Sequence, residues 1–366
     1  SEASRSGGWR IASYALVQFL CAPIVGALSD KYGRRPILLL SLLGFGLDYL
    51  VLAVAPTIGW LFLARIIAGV FGASFTTGAA YIADVSSAEK RAQNFGLLGA
   101  AFGLGFIIGP VTGGILGEIG PRVPFYAAAL VTFLNLTYGY FILPESLHKE
   151  NRREFEWSRA NPLGALFALK RYPSVAGLIG ALTFIYLASH AIQGTWTYFS
   201  MEKFNWSESM VGYSLGLVGI MSALVQGLLI RIIIPKIGEY NTMITGIIFN
   251  ICGCLLFSMA SEGWMLLCFI IPYSLGGIAG PAIQGILSNQ IPDNEQGQLQ
   301  GALTSMMAAT GIIGPLMMTS IFAYFTAENA PIYFPGAPFV TGAVLVAICL
   351  FLILRKGSKY TTGNPI

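Results

Sequence analysis

The chain reads as an all-α polytopic membrane protein built from two parallel helical halves. Three observations lead there: charge is scarce, apolar runs of membrane-crossing length recur, and landmarks of one half return in the other at a fixed offset. Only 10% of the 366 residues are charged and 55% are hydrophobic, where a soluble domain carries about 25% charged residues. Mean hydropathy is +0.69. Such a chain has lipid as its main solvent. The net charge of +4 is spread over short loops, so no nucleic-acid partner is expected. Cys21, Cys252, Cys254, Cys268 and Cys349 all lie in apolar runs and read as packing residues. The Cys252-Gly-Cys254 spacing is wrong for a redox or zinc motif.

A helix crosses the hydrocarbon core with roughly 20 apolar residues. Runs of that kind occupy 11–29, 37–58, 59–83, 95–117, 123–143, 174–200, 210–230, 240–261, 263–290, 299–326 and 332–354. They do not alternate in the manner of barrel strands. That predicts eleven crossings, five before the polar stretch 145–171 and six after it. With Lys31, Arg34 and Arg35 placed inside, strict alternation also puts Lys90, Arg91, Lys149, Arg152, Arg153, Arg159, Lys170, Arg171, Arg231, Lys236, Arg355, Lys356 and Lys359 inside. Sixteen of the 21 Lys and Arg are then cytoplasmic; Arg5, Arg10, Arg122 and Lys203 are outside and Arg65 is intramembrane. This bias orients the chain with its C-terminus in the cytoplasm.

The halves repeat. Gly59-Trp60 returns as Gly263-Trp264, Gln93-Asn94-Phe95-Gly96 as Gln298-Leu299-Gln300-Gly301, and Ile107-Ile108-Gly109-Pro110 as Ile312-Ile313-Gly314-Pro315. The offset is 204 or 205 throughout, and both copies start on the same side, so the repeat is parallel. The expected organisation is an N-terminal bundle over 1–144, a cytoplasmic linker over 145–173 and a six-helix bundle over 174–366. Five helices against six, with an outside N-terminus, imply that a first helix belongs before Ser1.

Six features carry chemistry. The turn Gly26-Ala-Leu-Ser-Asp30-Lys-Tyr-Gly33-Arg34-Arg35-Pro36 joins two spans. Asp30 can accept from backbone N–H groups at a helix start or pair with an arginine. Arg34 and Arg35 can reach a carboxylate on a neighbouring helix, for which Asp84 is the candidate; a tight turn with snorkelling arginines is the plainer alternative. The repeat copy over 227–238 keeps both glycines but has Pro235 where Asp30 stands, and reads as structural. Arg65 lies inside a span and requires a cavity or a partner, either a proton-transfer role or a static salt bridge. The run GAAFGLGFIIGPVTGG bares one helix face through Gly103, Gly105, Gly109, Gly113 and Gly114, and Pro110 can kink it. Asp48 is an intramembrane carboxylate, a functional group by default; gain and loss of its proton can couple to substrate movement. His190 titrates in a useful range or serves packing. Gln18, Tyr49, Gln193, Trp196, Gln226, Asn250 and Gln284 can line a largely apolar drug pocket, and each also serves equally as helix–helix glue.

These motifs resemble those of the major facilitator superfamily. The Gly26 turn resembles its motif A, a cytoplasmic latch; the Arg65 segment resembles motif B; the glycine-rich run resembles motif C, the antiporter motif. Two parallel repeats about a central loop are the superfamily's architecture. SDKYGRRPILL, LDYL, ARIIAGVFGAS, AYIADVSSAEKRAQNFG, GGIAGPAIQGILSNQ, QGQLQGALTS and GIIGPL are similar to bacterial tetracycline/proton antiporters. The resemblance implies a monomeric twelve-helix antiporter in the bacterial inner membrane that ejects a drug by alternating access as protons enter. No cofactor is implied beyond the proton gradient, although a divalent cation can travel bound to the drug. Asp30, Arg34, Arg35, Asp48, Arg65 and Asp84 would carry the charged roles. The chain departs from those exporters at Asn250, where they usually have an acid, and at Ser222, where some have a histidine. Asn250 cannot exchange a proton, which leaves coupling to Asp48 and the preceding helix or signals another substrate such as a sugar, lipid or metabolite. An enzyme is not expected: the chain has no GxSxG, HExxH or GxxxxGK[ST] motif and only two histidines, His148 and His190.

Overall fold

The computed structural model describes residues 2–158, 160–162, 173–327 and 330–355, which form helices, short turns and no strand. Arg159, Lys170, Arg171, Lys356 and Lys359, all expected on the inside, lie outside the described residues, as does most of the second half of the expected linker. In chain order the helices are α1 Glu2–Tyr32, α2 Arg34–Val54, α3 Ile58–Gly72, α4 Ser74–Asp84, α5 Arg91–Ile119 and α6 Val123–Ile142. After the linker come α7 Pro173–Phe204, α8 Glu208–Leu224, α9 Ile230–Met259, α10 Gly263–Leu275, α11 Ala279–Asn289, α12 Gln296–Thr326 and α13 Ala337–Arg355. Hydrocarbon offers no partner for backbone N–H and C=O groups, so segments this apolar close their hydrogen bonds internally.

Among the described residues nine stretches have the length and hydropathy to cross a membrane. One of them, Met210–Met259, is 50 residues long and is two crossings. Its α9 part breaks at Gly238, where φ is 79° and ψ 165°, between the expected spans 210–230 and 240–261. With α1, which carries the expected span 11–29, the eleven expected crossings are all helical. Two crossings are each made of two helices: α3 and α4 meet at Ala73, and α10 and α11 are joined by the 3-10 turn Gly276–Ile278. The two breaks fall at the same place in the repeat. A π-helical turn, Val225–Leu229, precedes α9.

The chain divides into two compact units. The first holds the described residues of Ser1–Ser87, Ile108–Arg171 and Ile291–Ala309; the second holds those of Ala88–Ile107, Tyr172–Gln290 and Thr310–Ile366. In the first, α2 packs against α3, α4 and α6, and α1 against α3 and α4. Close approach is set by glycines: a Cβ on Gly46 would lie 2.6 Å from the Phe133 ring. In the second, α9 packs against α10, α11 and α13, and α13 against α7. Its core is aromatic, with edge-to-face pairs Trp196–Phe257 at 5.0 Å and Phe199–Phe339 at 4.8 Å between ring centroids. Large apolar side chains also point outward, Phe141 being 77% exposed and Tyr213 75%, as expected where lipid replaces water outside the bundle.

Candidate functional site: a buried charge cluster and an intramembrane carboxylate

The Gly26 turn builds a closed charge cluster in the first unit. Gly33 takes φ 101°, a conformation that glycine adopts without cost, and α2 begins at the next residue. Any Cβ at Gly33 would also lie 2.7 Å from the Glu145 carboxyl carbon and 2.8 Å from Arg152 Nη2. Glu145, just past α6, accepts from the backbone N–H of Arg34 at 2.8 Å and of Arg35 at 3.3 Å, covering open donors at the start of α2.

Arg34 is fully buried. Its Nη1 donates to Asp30 Oδ1 and, at 2.9 Å, to Ser29 Oγ. Its Nε donates to Asp84 Oδ2 at 2.9 Å and its Nη2 to the Asp293 carbonyl at 3.1 Å. A rigid planar fork meets all four acceptors, which a lysine cannot do. Ser146 Oγ adds a donor to Asp84 at 3.0 Å. Asp30 accepts from the backbone N–H groups of Gly297 and Gln298, each at 3.0 Å, at the start of α12. A carboxylate at a helix N-terminus also faces the positive end of the helix dipole. Arg153 closes the rim: its Nη1 is 3.0 Å from Glu295 Oε1 and its backbone N–H donates to the Asp30 carbonyl at 3.0 Å. Small residues let α1 and α12 approach, since a Cβ on Gly301 would lie 2.9 Å from Pro23 Cα.

The expected Arg34–Asp84 pair is therefore present, and Asp30 holds the start of α12. Arg35 goes elsewhere: its Nη2 donates to the Tyr140 carbonyl at 2.6 Å and its guanidinium lies over the Tyr140 ring. Sequence motifs mark none of Glu145, Ser146, Asp293 and Gly297 as site residues, and Gln298 only as a landmark of the repeat. The run Pro144-Glu145-Ser146 at the end of a span was the available signal for two of them.

Asp48 is 1% exposed, and among the described residues its Oδ1 has no hydrogen-bond partner. The charge acting on it is that of Arg65, which is partly buried on α3. Gln18 Nε2 donates to the Gly72 carbonyl at 3.4 Å, and Tyr49 is partly buried beside Asp48 in sequence. A cavity of about 450 Å³ in this unit is lined by Leu38, Phe45, Ser74, Asn135 and Tyr138; none of the expected substrate residues lines it.

In the second unit Gln226 and Asn250 flank one turn. A Cβ on Gly277 would lie 3.3 Å from Gln226 Nε2, and one on Gly276 2.9 Å from Asn250 Cβ. Gln284 is partly buried on α11 and Gln193 is exposed on α7. Trp196 is 2% exposed, its Nε1 donates to Ser214 Oγ at 2.9 Å, and it belongs to the aromatic core. His190 is partly buried against Gly314, where a Cβ would lie 2.6 Å from His190 Cγ. The glycine-rich run of α5 divides in two. Gly103 is a close approach, with a Cβ there 2.7 Å from the Gly219 carbonyl, whereas Gly105, Gly109 and Gly113 would meet nothing within 4 Å among the described residues. Pro110 and Gly114 continue the helix.

Comparison with known proteins agrees with this arrangement. The chain matches the family described as Major Facilitator Superfamily over residues 3–315 and again over 191–365. It is 40% identical over 351 residues to the class C tetracycline resistance protein of Escherichia coli, covering 96% of this chain and 87% of that protein. The class H protein of Pasteurella multocida is 37% identical over 358 residues, covering 97% of this chain and 87% of its own. Among solved structures, the human organic anion transporter MFSD10 (TETRAN) superposes with a TM-score of 0.84 at 27% identity, covering 95% of this chain and 83% of that one. The proton:xylose symporter XylE shares the fold at 15% identity, with a TM-score of 0.75 over 97% of this chain and 87% of its own. By its match to the family over most of its length and its identity to these relatives, the chain belongs to the major facilitator superfamily.

Proposed function

We propose that the protein is a proton-coupled antiporter that exports an amphipathic drug of the tetracycline class by alternating access. The observation that carries this reading is the 40% identity, over 96% of the chain, to a tetracycline resistance protein. Asp48, buried with an open Oδ1 and facing the charge of Arg65, is the proton-exchanging group. His190 is a second candidate for proton handling. Gln18, Tyr49, Gln193, Gln226, Asn250 and Gln284 are the polar contacts offered to the drug, with Trp196 supporting them from the core. Asp30, Arg34 and Asp84 form the cytoplasmic latch, which opens once per cycle and favours the outward-facing state when closed. Gly103 to Gly114 supply the antiporter segment. The protein works in the bacterial cytoplasmic membrane with its C-terminus inside, and a divalent cation, where present, travels as part of the drug cargo. The 27% identity to an organic anion transporter supports a second reading, in which the cargo is a broader class of amphipathic organic anions.

Asp48→Asn separates the proton role from folding. Asparagine keeps the size and loses the titratable proton, so the variant should accumulate as folded protein and fail to export against a gradient. Export by the variant at the wild-type rate would remove Asp48 from the mechanism. Competition of tetracycline transport by unrelated organic anions decides between the two cargo readings.

A further inference from the structure

The second half contains a turn that the motif reading assigned to structure alone. Laid on the repeat at an offset of 205, Asp30 falls on Pro235, but the glycine, the arginine position and its partners have counterparts there. Gly33 maps to Gly238, and among the described residues these are the two glycines of positive φ, at 101° and 79°. Arg34 maps to Glu239, Asp84 to Asn289, Asp293 to Ala88 and Gly297 to Ala92. The contacts map too, with the charges transposed. Arg34 bonds Asp84, and Glu239 Oε2 accepts from Asn289 Nδ2 at 3.5 Å. Arg34 donates to the Asp293 carbonyl, and Asn289 donates to the Ala88 carbonyl at 3.2 Å. Asp30 accepts from the start of α12, and Glu239 receives a stabilising contribution from the backbone N–H of Ala92 at the start of α5. Gly285 lets the parts meet, since a Cβ there would lie 2.6 Å from Ala92 Cβ and 2.9 Å from Glu239 Oε1.

The transposition changes the chemistry. Arg34 is permanently charged and four acceptors satisfy it. Glu239 is titratable, and among the described residues its Oε1 is buried without a hydrogen-bond partner. Of the charged side chains on the packed elements, Arg91 on α5 acts on it. Arg91 Nη1 is itself engaged at 3.0 Å with the Ser288 carbonyl and at 3.3 Å with Asn289 Oδ1. The other packed helix, α11, presents the neutral Asn289.

We propose that Gly238, Glu239, Asn289, Arg91 and the start of α5 form a second latch, in which Glu239 takes up a proton as the contact closes and releases it as the contact opens. The inference rests on the antiporter reading only in supposing a cycle that opens and closes this contact. The sign follows from burial. In the turn, desolvation pushes Glu239 up to about 7 from its ordinary 4.5, against the pull of Asn289, Arg91 and Ala92. An opened, hydrated Glu239 returns towards its ordinary value. The closed form therefore binds the proton more tightly, and falling pH favours closure through the window from 7 towards 4.5. Between about pH 8 and pH 6 the ratio of closed to open should rise about tenfold.

The test is hydrogen–deuterium exchange of the full chain in lipid nanodiscs, corrected for intrinsic exchange rates, followed over the start of α5 and the segment 231–240 around the Gly238 kink. Wild type should gain about tenfold protection there between about pH 8 and pH 6. Glu239→Gln, a permanently neutral isostere, should lose that dependence and be at least as protected as wild type at both. A wild-type pH dependence that persists in Glu239→Gln, or a variant more exposed than wild type, overturns the proposal. Asn289→Asp is the second variant: a carboxylate facing Glu239 should move the transition to higher pH, and an unmoved transition overturns the proposal equally. None of these readouts needs transport, so failure of the antiporter reading would be seen separately, in flux.

Discussion

Arg34→Ala is the perturbation whose consequences the structure specifies most fully. The guanidinium is 0% exposed and donates to Ser29, Asp30, Asp84 and the Asp293 carbonyl. Truncation removes the one cation between two buried carboxylates, Asp30 and Asp84, and leaves Asp84 with Ser146 as its remaining side-chain donor. Breaking a buried pair by deleting one partner costs about 3–5 kcal/mol, because the other charge stays behind unpaired. At about 1.4 kcal/mol per decade, that is a loss of roughly 100-fold to several-thousand-fold in the population holding the cluster together. Removing the orphaned charge should return part of the loss. Arg34→Ala combined with Asp84→Asn should therefore be less damaging than the sum of the single changes, with a coupling of about 1.5–3 kcal/mol. Arg34→Lys keeps the charge without the fork and should fall between wild type and alanine. The assay is equilibrium unfolding of the four-member cycle in lipid nanodiscs, with exchange protection at the start of α12 as the local readout. Additive single changes, or protection at Gly297 and Gln298 unchanged in Arg34→Ala, would refute the reasoning.

Three further outcomes follow from geometry. Gly33→Ala places a side chain at φ 101° and 2.7 Å from the Glu145 carboxyl carbon, and should destabilise the protein by about 1–3 kcal/mol, read as a lower unfolding midpoint; an unchanged midpoint would contradict the turn geometry. Trp196→Ala empties the aromatic core of the second unit and should cost about 3–5 kcal/mol in the same unfolding assay, whereas drug affinity lost with stability intact would make Trp196 a pocket residue. Gly103→Ala should weaken folding because its Cβ would lie 2.7 Å from the Gly219 carbonyl, while Gly105→Ala and Gly109→Ala meet open space and should leave unfolding unchanged; export lost in the latter two is then a functional effect.

Much of the fold was legible because its causes are one-dimensional. Lipid dictates apolar runs of fixed length, and the runs became helices where they were expected. The charged turn was equally readable: Gly33 announces a positive φ, and Arg34 within reach of Asp84 announces a pair. What escaped was contact made across long sequence distances. Nothing local in Gly297 or Gln298 shows that their N–H groups meet Asp30, because the partner lies 267 or 268 positions away. Arg34 and Arg35 are adjacent and alike, yet helix phase sends one into the cluster and the other to the Tyr140 carbonyl. Trp196 carries a polar N–H that Ser214 satisfies inside the core, a contact that nothing local in the sequence announces. Glu239 was hidden by reading the repeat through its missing acid at Pro235 instead of through the position of Arg34.

The central claim is obligatory exchange of drug against protons. Its most direct measurement is proton movement driven by drug alone, in proteoliposomes holding the protein and a trapped pH dye, with no pH gradient imposed. A tetracycline gradient should drive protons in the opposite direction, saturably, and Asp48→Asn should abolish that movement. Tetracycline crossing with no proton movement in wild type would contradict the account, leaving the fold in place and removing the coupling.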